Sequence, residues 1–185
     1  MSVRDMSLFE LEVPPSKPQT EWVRGRAMQK VIPGYDHAVL QRLVLTALGA
    51  WADGGGHGRV GAEWGFRVAP PDGIVRPLVP DVAFLSYEAL SHDTPREALQ
   101  RPLTAPTVAI EIVSPEDRRL DLNDKIATYL ESGTEAVIVV DLHAETVELH
   151  DEELMSVLGP GDELTHPALP GFTLDVGELF ARAKA

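Results

Sequence analysis

The chain has 185 residues, 44% hydrophobic and 24% charged, which favours one domain with a sizeable core and excludes disorder along its whole length. There is no cysteine, so disulfides, thiol catalysis and cysteine-bound zinc or iron–sulfur centres are excluded. The net charge of −13 is uneven: residues 1–125 hold 14 Lys and Arg against 17 Asp and Glu, and residues 126–185 hold 2 against 12.

Ser7 to Val13 reads as one or two amphipathic helical turns, and Pro14-Pro15-Ser16-Lys17-Pro18 breaks it. Residues 1–19 are therefore expected to form an arm, and residues 20–185 a single domain. Thr20 to Val23 and Ala27 to Ile32 read as two short strands around Arg24-Gly25-Arg26, a tight hairpin with Gly at the turn. In Tyr35 to Trp51, residues Val39, Leu40, Leu43, Val44, Ala47 and Leu48 repeat at helical spacing. Asp53-Gly54-Gly55-Gly56-His57-Gly58 reads as a flexible loop. It fails as a phosphate loop, because no Gly-Lys-Ser/Thr follows and it leads to a strand. Arg59 to Ala69 reads as one long or bent strand, Pro70-Pro71-Asp72-Gly73 as a turn, and Pro80 to Ser86 as a strand.

Ser86 to Leu99 should hold short helices and loop. Thr107 to Val113 is apolar and rich in β-branched residues, a buried strand. Leu120 to Ser132 reads as a helix with Asp117 as its N-cap and Gly133 just past its end. Ala136 to Val140 is a second apolar strand, Thr146 to His150 its antiparallel partner, and Leu174 to Ala183 a closing helix. Leu164 to Phe172 is turn-rich. The expected class is α/β with a mixed sheet and helices on its faces, and residues 107–140 a right-handed parallel crossover.

Two charges are out of place in this pattern. Glu111 lies inside the 107–113 strand, where an uncompensated carboxylate costs several kcal/mol, roughly. Lys125 falls within the apolar stripe of Leu122, Ile126 and Tyr129. An i,i+4 ion pair with Asp121, or snorkelling to solvent, would account for Lys125 alone. Asp81 opens the 80–86 strand. If a sheet places Asp81 and Glu111 on neighbouring strands, the two carboxylates repel unless a cation sits between them. A divalent ion is the natural one, and Mg²⁺ takes carboxylates, waters and phosphate oxygens.

The remaining chemistry-bearing residues are weaker candidates. The six histidines (37, 57, 92, 143, 150 and 166) show no metal-ligand spacing and read mostly as surface residues. Ser114-Pro115 reads as a turn, with no nucleophile elbow around the serine. Trp22, Trp51 and Trp64 read as packing residues. Arg24, Arg26, Lys30, Arg42, Arg59, Arg67, Arg118 and Arg119 offer a basic surface in the first two-thirds, and the last third an acidic, solvated one.

Pro80-Asp81, Glu111-Ile112-Val113-Ser114-Pro115, Asp117-Arg118-Arg119, Asp121, Lys125, Tyr129, Gly133, Glu135 and Val139-Val140-Asp141 together resemble the PD-(D/E)XK nuclease superfamily. Within it they resemble most the restriction endonuclease-like domain proteins of bacteria. Leu169-Pro170-Gly171-Phe172 and Glu178-Leu179-Phe180 extend the likeness to about residue 180. The resemblance implies a restriction-endonuclease-like core with an N-terminal β-hairpin, and metal-dependent cleavage of DNA phosphodiester bonds. Asp81, Glu111 and the Ile112 carbonyl would hold Mg²⁺ or Mn²⁺. Lys125 would stabilise transition-state charge or orient the attacking water, and Glu21 and His37 match further residues of the family's site. In the wider superfamily the lysine lies two residues after the glutamate, a place that holds Val113 here. Lys125 therefore has to reach the site from the helix. The hairpin carries Arg24 and Arg26 where relatives usually have acids.

The partner expected is DNA, with cutting of two strands favouring a homodimer. Met1 to Glu12 has no signal-peptide run, and no stretch approaches the roughly 18 apolar residues of a membrane span. A cytoplasmic protein with no membrane partner is therefore expected. The alternatives are a catalytically inactive nuclease-fold protein that binds nucleic acid or a protein partner, and a metal-dependent hydrolase of a small phosphate ester.

Overall fold

The computed structural model describes residues 9–10 and 19–185. The order is β1 (Phe9–Glu10), β2 (Thr20–Val23), β3 (Arg26–Gln29), α1 (Tyr35–Gly55), β4 (Gly58–Ala62), β5 (Phe66–Val68), β6 (Ile74–Leu78) and β7 (Val82–Ser86). There follow α2 (Arg96–Leu99), β8 (Val108–Ile112), α3 (Arg119–Glu131), β9 (Ala136–Asp141), β10 (Thr146–His150), β11 (Met155–Leu158), β12 (Glu163–Leu164), β13 (Leu174–Asp175) and α4 (Val176–Ala183).

The central sheet has six strands in the order β11-β10-β9-β8-β7-β4. Its β8 and β9 run parallel, joined through α3 as expected, and its other neighbours are antiparallel. A second sheet has the order β1-β6-β5, and β2-β3 and β12-β13 are hairpins. Every position of β8 is buried, which requires cover on both faces. Phe84, Ile110, Ile138 and Val140 pack on one face against Leu40 and Leu48 of α1 and Leu179 and Phe180 of α4. Ala83, Leu85, Ala109 and Val139 pack on the other against Phe66, Val68 and, from α3, Ile126 and Tyr129. Side chains alternate along a strand. Asp81 and Glu111 therefore fall on the α3 face with the odd-numbered residues. The antiparallel register Val82↔Ile110 and Ala83↔Ala109, continued by one residue, sets Asp81 beside Glu111.

Several expectations need correction. The stretch 53–58 is not a loop: α1 runs through Gly55 and ends at Gly56, whose φ of 63° closes the helix. Packing outweighs the poor helix propensity of the glycines, because Ala52 is fully buried and His57 stacks on Trp51 at 4.4 Å. The stretch 59–69 is two strands in different sheets, broken at Glu63, whose φ is 50°. The second hairpin strand stops at Gln29 rather than Ile32. Asp117 does not cap α3. Its carboxylate accepts from the Ser114 amide at 2.7 Å, and Arg118 occupies the N-cap without a side-chain bond. Phe9–Glu10 is a strand paired parallel with β6, where helical turns were expected. The rest of that turn and the 14–18 break lie outside the described residues.

The hairpin turn is as expected. Arg24 and Gly25 both have positive φ, 49° and 72°, the signature of a two-residue type I′ turn. Trp51 and Trp64 pack as expected, their indole N–H groups donating to the carbonyls of Pro170 and Leu99. Much of the basic surface is engaged in ion pairs and hydrogen bonds, though Arg24, Arg26 and Arg119 stay about half exposed. Arg24 and Arg26 pair with Asp121, Arg119 with Glu148, and Arg59 donates to the carbonyls of Leu90, Ser91 and His92. The histidines are less exposed than expected, with His57 on Trp51, His150 on Glu148 and His166 beside Asp151. Among the described residues, no helix is long and apolar enough to cross a membrane.

Candidate active site

A cavity of about 740 Å³ opens between the β2-β3 hairpin, the start of α1, the ends of β7 and β8, and α3; Glu21, His37, Asp81, Glu111, Ile112 and Lys125 all line it. All six residues expected at the site are thus brought to one place. Each arrives by a separate local rule. Glu21 is an inward position of β2, whose burial alternates. Asp81 and Glu111 share a sheet face through the register just given. Lys125 and Tyr129 are one α3 turn apart and stack on the same helix face.

Glu111 is only 6% exposed, and each of its oxygens has a partner. Its Oε2 accepts from Lys125 Nζ at 2.7 Å and its Oε1 from the Tyr129 hydroxyl at 3.1 Å. Lys125 Nζ also lies 3.0 Å from Glu21 Oε1, which in turn accepts from the Val79 amide at 2.8 Å. Asp121 pairs with Arg24 and Arg26, whereas the ion pairs of Lys125 run to Glu21 and Glu111. The helical i,i+4 explanation for Lys125 therefore gives way to a long-range one.

Asp81 anchors the other half. Its Oδ2 accepts from the Ile112 amide at 2.7 Å, which fixes the carboxylate to the end of β8. Its Oδ1 lies 2.7 Å from Lys30 Nζ and 3.4 Å from His37 Nε2. His37 Nδ1 reaches Ser114 Oγ at 3.2 Å. Lys30 Nζ also meets the Glu63 carboxylate at 3.1 Å and the Val79 carbonyl at 2.9 Å. Gln41, one turn after His37, donates to Glu63 Oε1 and to the Asp81 carbonyl.

Three of these residues were not legible as site members. Gln41 sits at i+4 from His37, a spacing that would have put both on one helix face. Lys30 reads from the sequence only as one of a set of basic surface residues, and Glu63 reaches the site through a left-handed backbone break that no pattern announces.

The electrostatics divide the two carboxylates. Burial works against ionisation of Asp81, but the hydrogen bond from His37 and the charges of Lys30 and Lys125 outweigh it and hold this carboxyl well below the usual range. Burial pushes Glu111 up to about 7; Lys125 opposes this, and the negative charges of Asp81 and Glu21 add to it. Burial opposes the charge on Lys125 as well, yet Glu111, Glu21 and Asp81 together raise its pKa. Glu111 clings to a proton while Lys125 does too, because one ammonium serves two buried carboxylates. Burial and the same carboxylates raise the Tyr129 hydroxyl, which stays protonated and donates.

A family model described as "Uma2: Putative restriction endonuclease" matches residues 7–177. The chain belongs to the Uma2 family. The Uma2 chain is also similar to a crystal structure titled as a putative nuclease belonging to DUF820 from Anabaena variabilis ATCC 29413. That likeness has a TM-score of 0.81 at 21% identity and covers 92% of this chain and 94% of the other. At that identity it speaks for the fold, and the restriction-endonuclease-like architecture expected from the sequence is the one found. None of the curated proteins matches the chain.

The donor set of the Uma2 chain fits a divalent metal by its charge. Four carboxyl groups, Glu21, Glu63, Asp81 and Glu111, meet two lysines, so acids outnumber the ammonium groups. Asp81 has a lowered pKa and faces cationic partners through Oδ1. The ligand atoms of His37, Glu63 and Asp81 all lie within 4.8 Å of one another. Glu111 is outside that group, because both its oxygens are turned to Lys125 and Tyr129.

Proposed function

We propose that this chain is a metal-dependent endonuclease that hydrolyses DNA phosphodiester bonds in the pocket around Asp81. The observation that carries the reading is the convergence of Asp81, Glu111 and Lys125, from β7, β8 and α3, on one cavity where acids outnumber the ammonium groups. Membership of the Uma2 family and the nuclease title of its structural neighbour support the same class.

In this reading Asp81 would hold Mg²⁺ or Mn²⁺ together with Glu111, the Ile112 carbonyl and the converging ligand atoms of Glu63 and His37. When bound, such an ion lowers the pKa of a water and neutralises charge on the scissile phosphate. The chain's own residues do the rest. Lys125 has a raised proton affinity, so it serves as a fixed positive charge for the phosphorane-like transition state and not as a base. Tyr129 and Lys125 orient Glu111 from opposite oxygens. The Ile112 amide and His37 orient Asp81. Glu21 holds Lys125 in place from the hairpin. A homodimer would supply a second site for the second strand.

The test is cleavage of plasmid and single-stranded DNA with Mg²⁺ or Mn²⁺, against EDTA and the variants Asp81→Ala, Glu111→Ala and Lys125→Ala. Loss of cleavage in all three and in EDTA is expected. Cleavage that survives the three substitutions refutes the assignment.

One observation favours a second reading, a catalytically inactive protein that binds nucleic acid or a protein partner. Lys30 and Lys125 already sit on Asp81 and Glu111 in the positions of counter-ions. A Mn²⁺ titration in which the wild-type chain binds no metal, together with retained DNA or partner binding, would select it. A chromogenic phosphodiester tests the small phosphate ester alternative.

A further inference from the structure

Lys30 immediately follows β3, yet its side chain turns inward and is 13% exposed. Its ammonium touches Asp81 Oδ1 at 2.7 Å, the Val79 carbonyl at 2.9 Å and Glu63 Oε1 at 3.1 Å. Two carboxylates and a carbonyl are hard oxygen donors, the kind that Mg²⁺ and Mn²⁺ prefer. Two of the three contacts belong to the His37, Glu63 and Asp81 group whose ligand atoms converge. The ammonium therefore rests on oxygen atoms that a divalent ion at Asp81 would use. Lys125 is different. Its partners are Glu21 and Glu111, not Asp81 or Glu63, and Glu111 also accepts from Tyr129.

We infer that Lys30 is a resident cation seated in the Asp81–Glu63 corner, and that a divalent ion enters that corner by displacing it. The inference rests on the metal-dependent reading above and adds an order of events to it. Two cations cannot share the same carboxylate oxygens at these distances without strong repulsion. The lysine ammonium is a compact charge on a flexible four-carbon stem, so it can leave without moving the backbone. Lys30 also borders an exposed segment, with Val31 48% and Ile32 81% exposed, and the cavity it lines is open to solvent. Its outward swing buries nothing. While seated, the ammonium compensates Asp81 and Glu63, so the corner is held together without metal. The consequence for binding is competitive. The apparent metal affinity is the intrinsic one multiplied by the fraction of time the corner is vacated.

The experiment uses the full chain and Mn²⁺ alone, by calorimetric titration and by electron paramagnetic resonance of free Mn²⁺. The variants are Lys30→Met, Lys30→Gln and Asp81→Asn, with thermal melts in EDTA and in excess Mn²⁺. If the ammonium occupies the corner about nine-tenths of the time, both Lys30 variants bind Mn²⁺ about tenfold more tightly than the wild type. They also melt lower than the wild type in EDTA and recover more on adding Mn²⁺, which a merely structural lysine would not produce. Asp81→Asn is expected to lose Mn²⁺ binding. Lys30→Gln keeps hydrogen-bond donors without the charge and carries the test if Lys30→Met does not fold. Equal or weaker Mn²⁺ binding by the Lys30 variants, with the wild type still binding, overturns the inference and leaves the metal reading intact. No Mn²⁺ bound by the wild type or by either Lys30 variant overturns both. Tight binding that survives Asp81→Asn places the ion elsewhere and overturns the competition.

Discussion

Replacing Glu111 by Gln keeps the shape of a buried side chain and removes one of two negative charges around Lys125. The folded carboxyl of Glu111 is pushed up from 4.5 to about 7, with burial the largest cause. An unfolded chain gives up this proton near pH 4.5, while the folded chain keeps it until near pH 7. Between those values the folded state binds more protons, so stability falls as pH rises. The contribution is complete below pH 4.5 and lost once pH passes about 7. A gap of about 2.5 pH units at about 1.4 kcal/mol each gives a loss of about 3 kcal/mol. For a chain of this length that corresponds to a fall in Tm of about 6–12 °C. His37 adds in the same direction. Its pKa is raised, mainly through Asp81 against burial, so its stabilisation is lost as pH rises through the folded value. Asp81 is depressed, so its stabilisation is present above its unfolded value and lost only in more acid solution. The assay is thermal melting in EDTA at constant ionic strength from pH 5 to 8. The wild type should lose stability across this range, and Glu111→Gln should lose clearly less, keeping the parts of His37 and of Asp117, whose carboxyl burial also raises. A wild-type profile that is flat or rising, or a Glu111→Gln profile equally steep, refutes the account of the buried pair.

Three further outcomes are expected, each read by urea or thermal unfolding. Tyr129→Phe removes a hydroxyl 3.1 Å from Glu111 Oε1 and should cost about 2 kcal/mol at about pH 8, where Glu111 is ionised, the worth of a hydrogen bond to a charged group. Gly58→Ala brings a Cβ to 2.3 Å from the Leu85 carbonyl and 2.8 Å from the Ser86 Cα, both backbone, so β4 must shift at a cost of about 3 kcal/mol. Thr134 is 1% exposed and its hydroxyl has no partner among the described residues, so Thr134→Val, which keeps the shape, should stabilise by about 1 kcal/mol.

The site was legible in the sequence where a charge broke a pattern. Glu111 interrupts a strand and Lys125 a helical stripe, and each anomaly has a partner in the structure. Asp81 became legible through them, because a sheet that sets it beside Glu111 joins two carboxylates that repel unless a cation lies between them. Lys30 broke no pattern, since a lysine in a short strand expected at the surface is unremarkable, and only the packed fold turns it inward. Glu63 needed a backbone conformation that a glutamate seldom takes. The arginines were miscounted for the same reason: charge balance counts residues but not their partners, and Asp121 and Glu148 claim three of them.

The fold was legible where both faces of a strand are buried and weaker at the margins. β6 escaped notice because Pro77 argues against an inner strand. In the structure Pro77 stands opposite Arg67 of β5, in a strand that lies between β1 and β5. β11 is an outer strand whose burial alternates, but Met155 and Val157 fall on its exposed face, so apolar residues do not mark the buried one. The 53–58 stretch was misread because local glycine content was weighed without the tertiary contact of Trp51 and His57.

The hairpin that carries Glu21 has a bearing on the order in which the chain acquires its shape. Its bonds to α3 join residues far apart in sequence: Glu21 to Lys125 spans 104 positions, and Arg24 to Asp124 and Asp121 spans 100 and 97. Closing loops of that size costs entropy that is recovered only once both ends are formed. On a ribosome, Glu21 would emerge long before the helix that receives it. The hairpin should therefore dock late and be released early, with the amides of Thr20–Gln29 exchanging hydrogen sooner than those of β8 and β9. Slower exchange in the hairpin than in those strands would reverse this order. Late docking makes the charged centre a product of the finished fold, so a half-made chain carries the carboxylates without the machinery to use them.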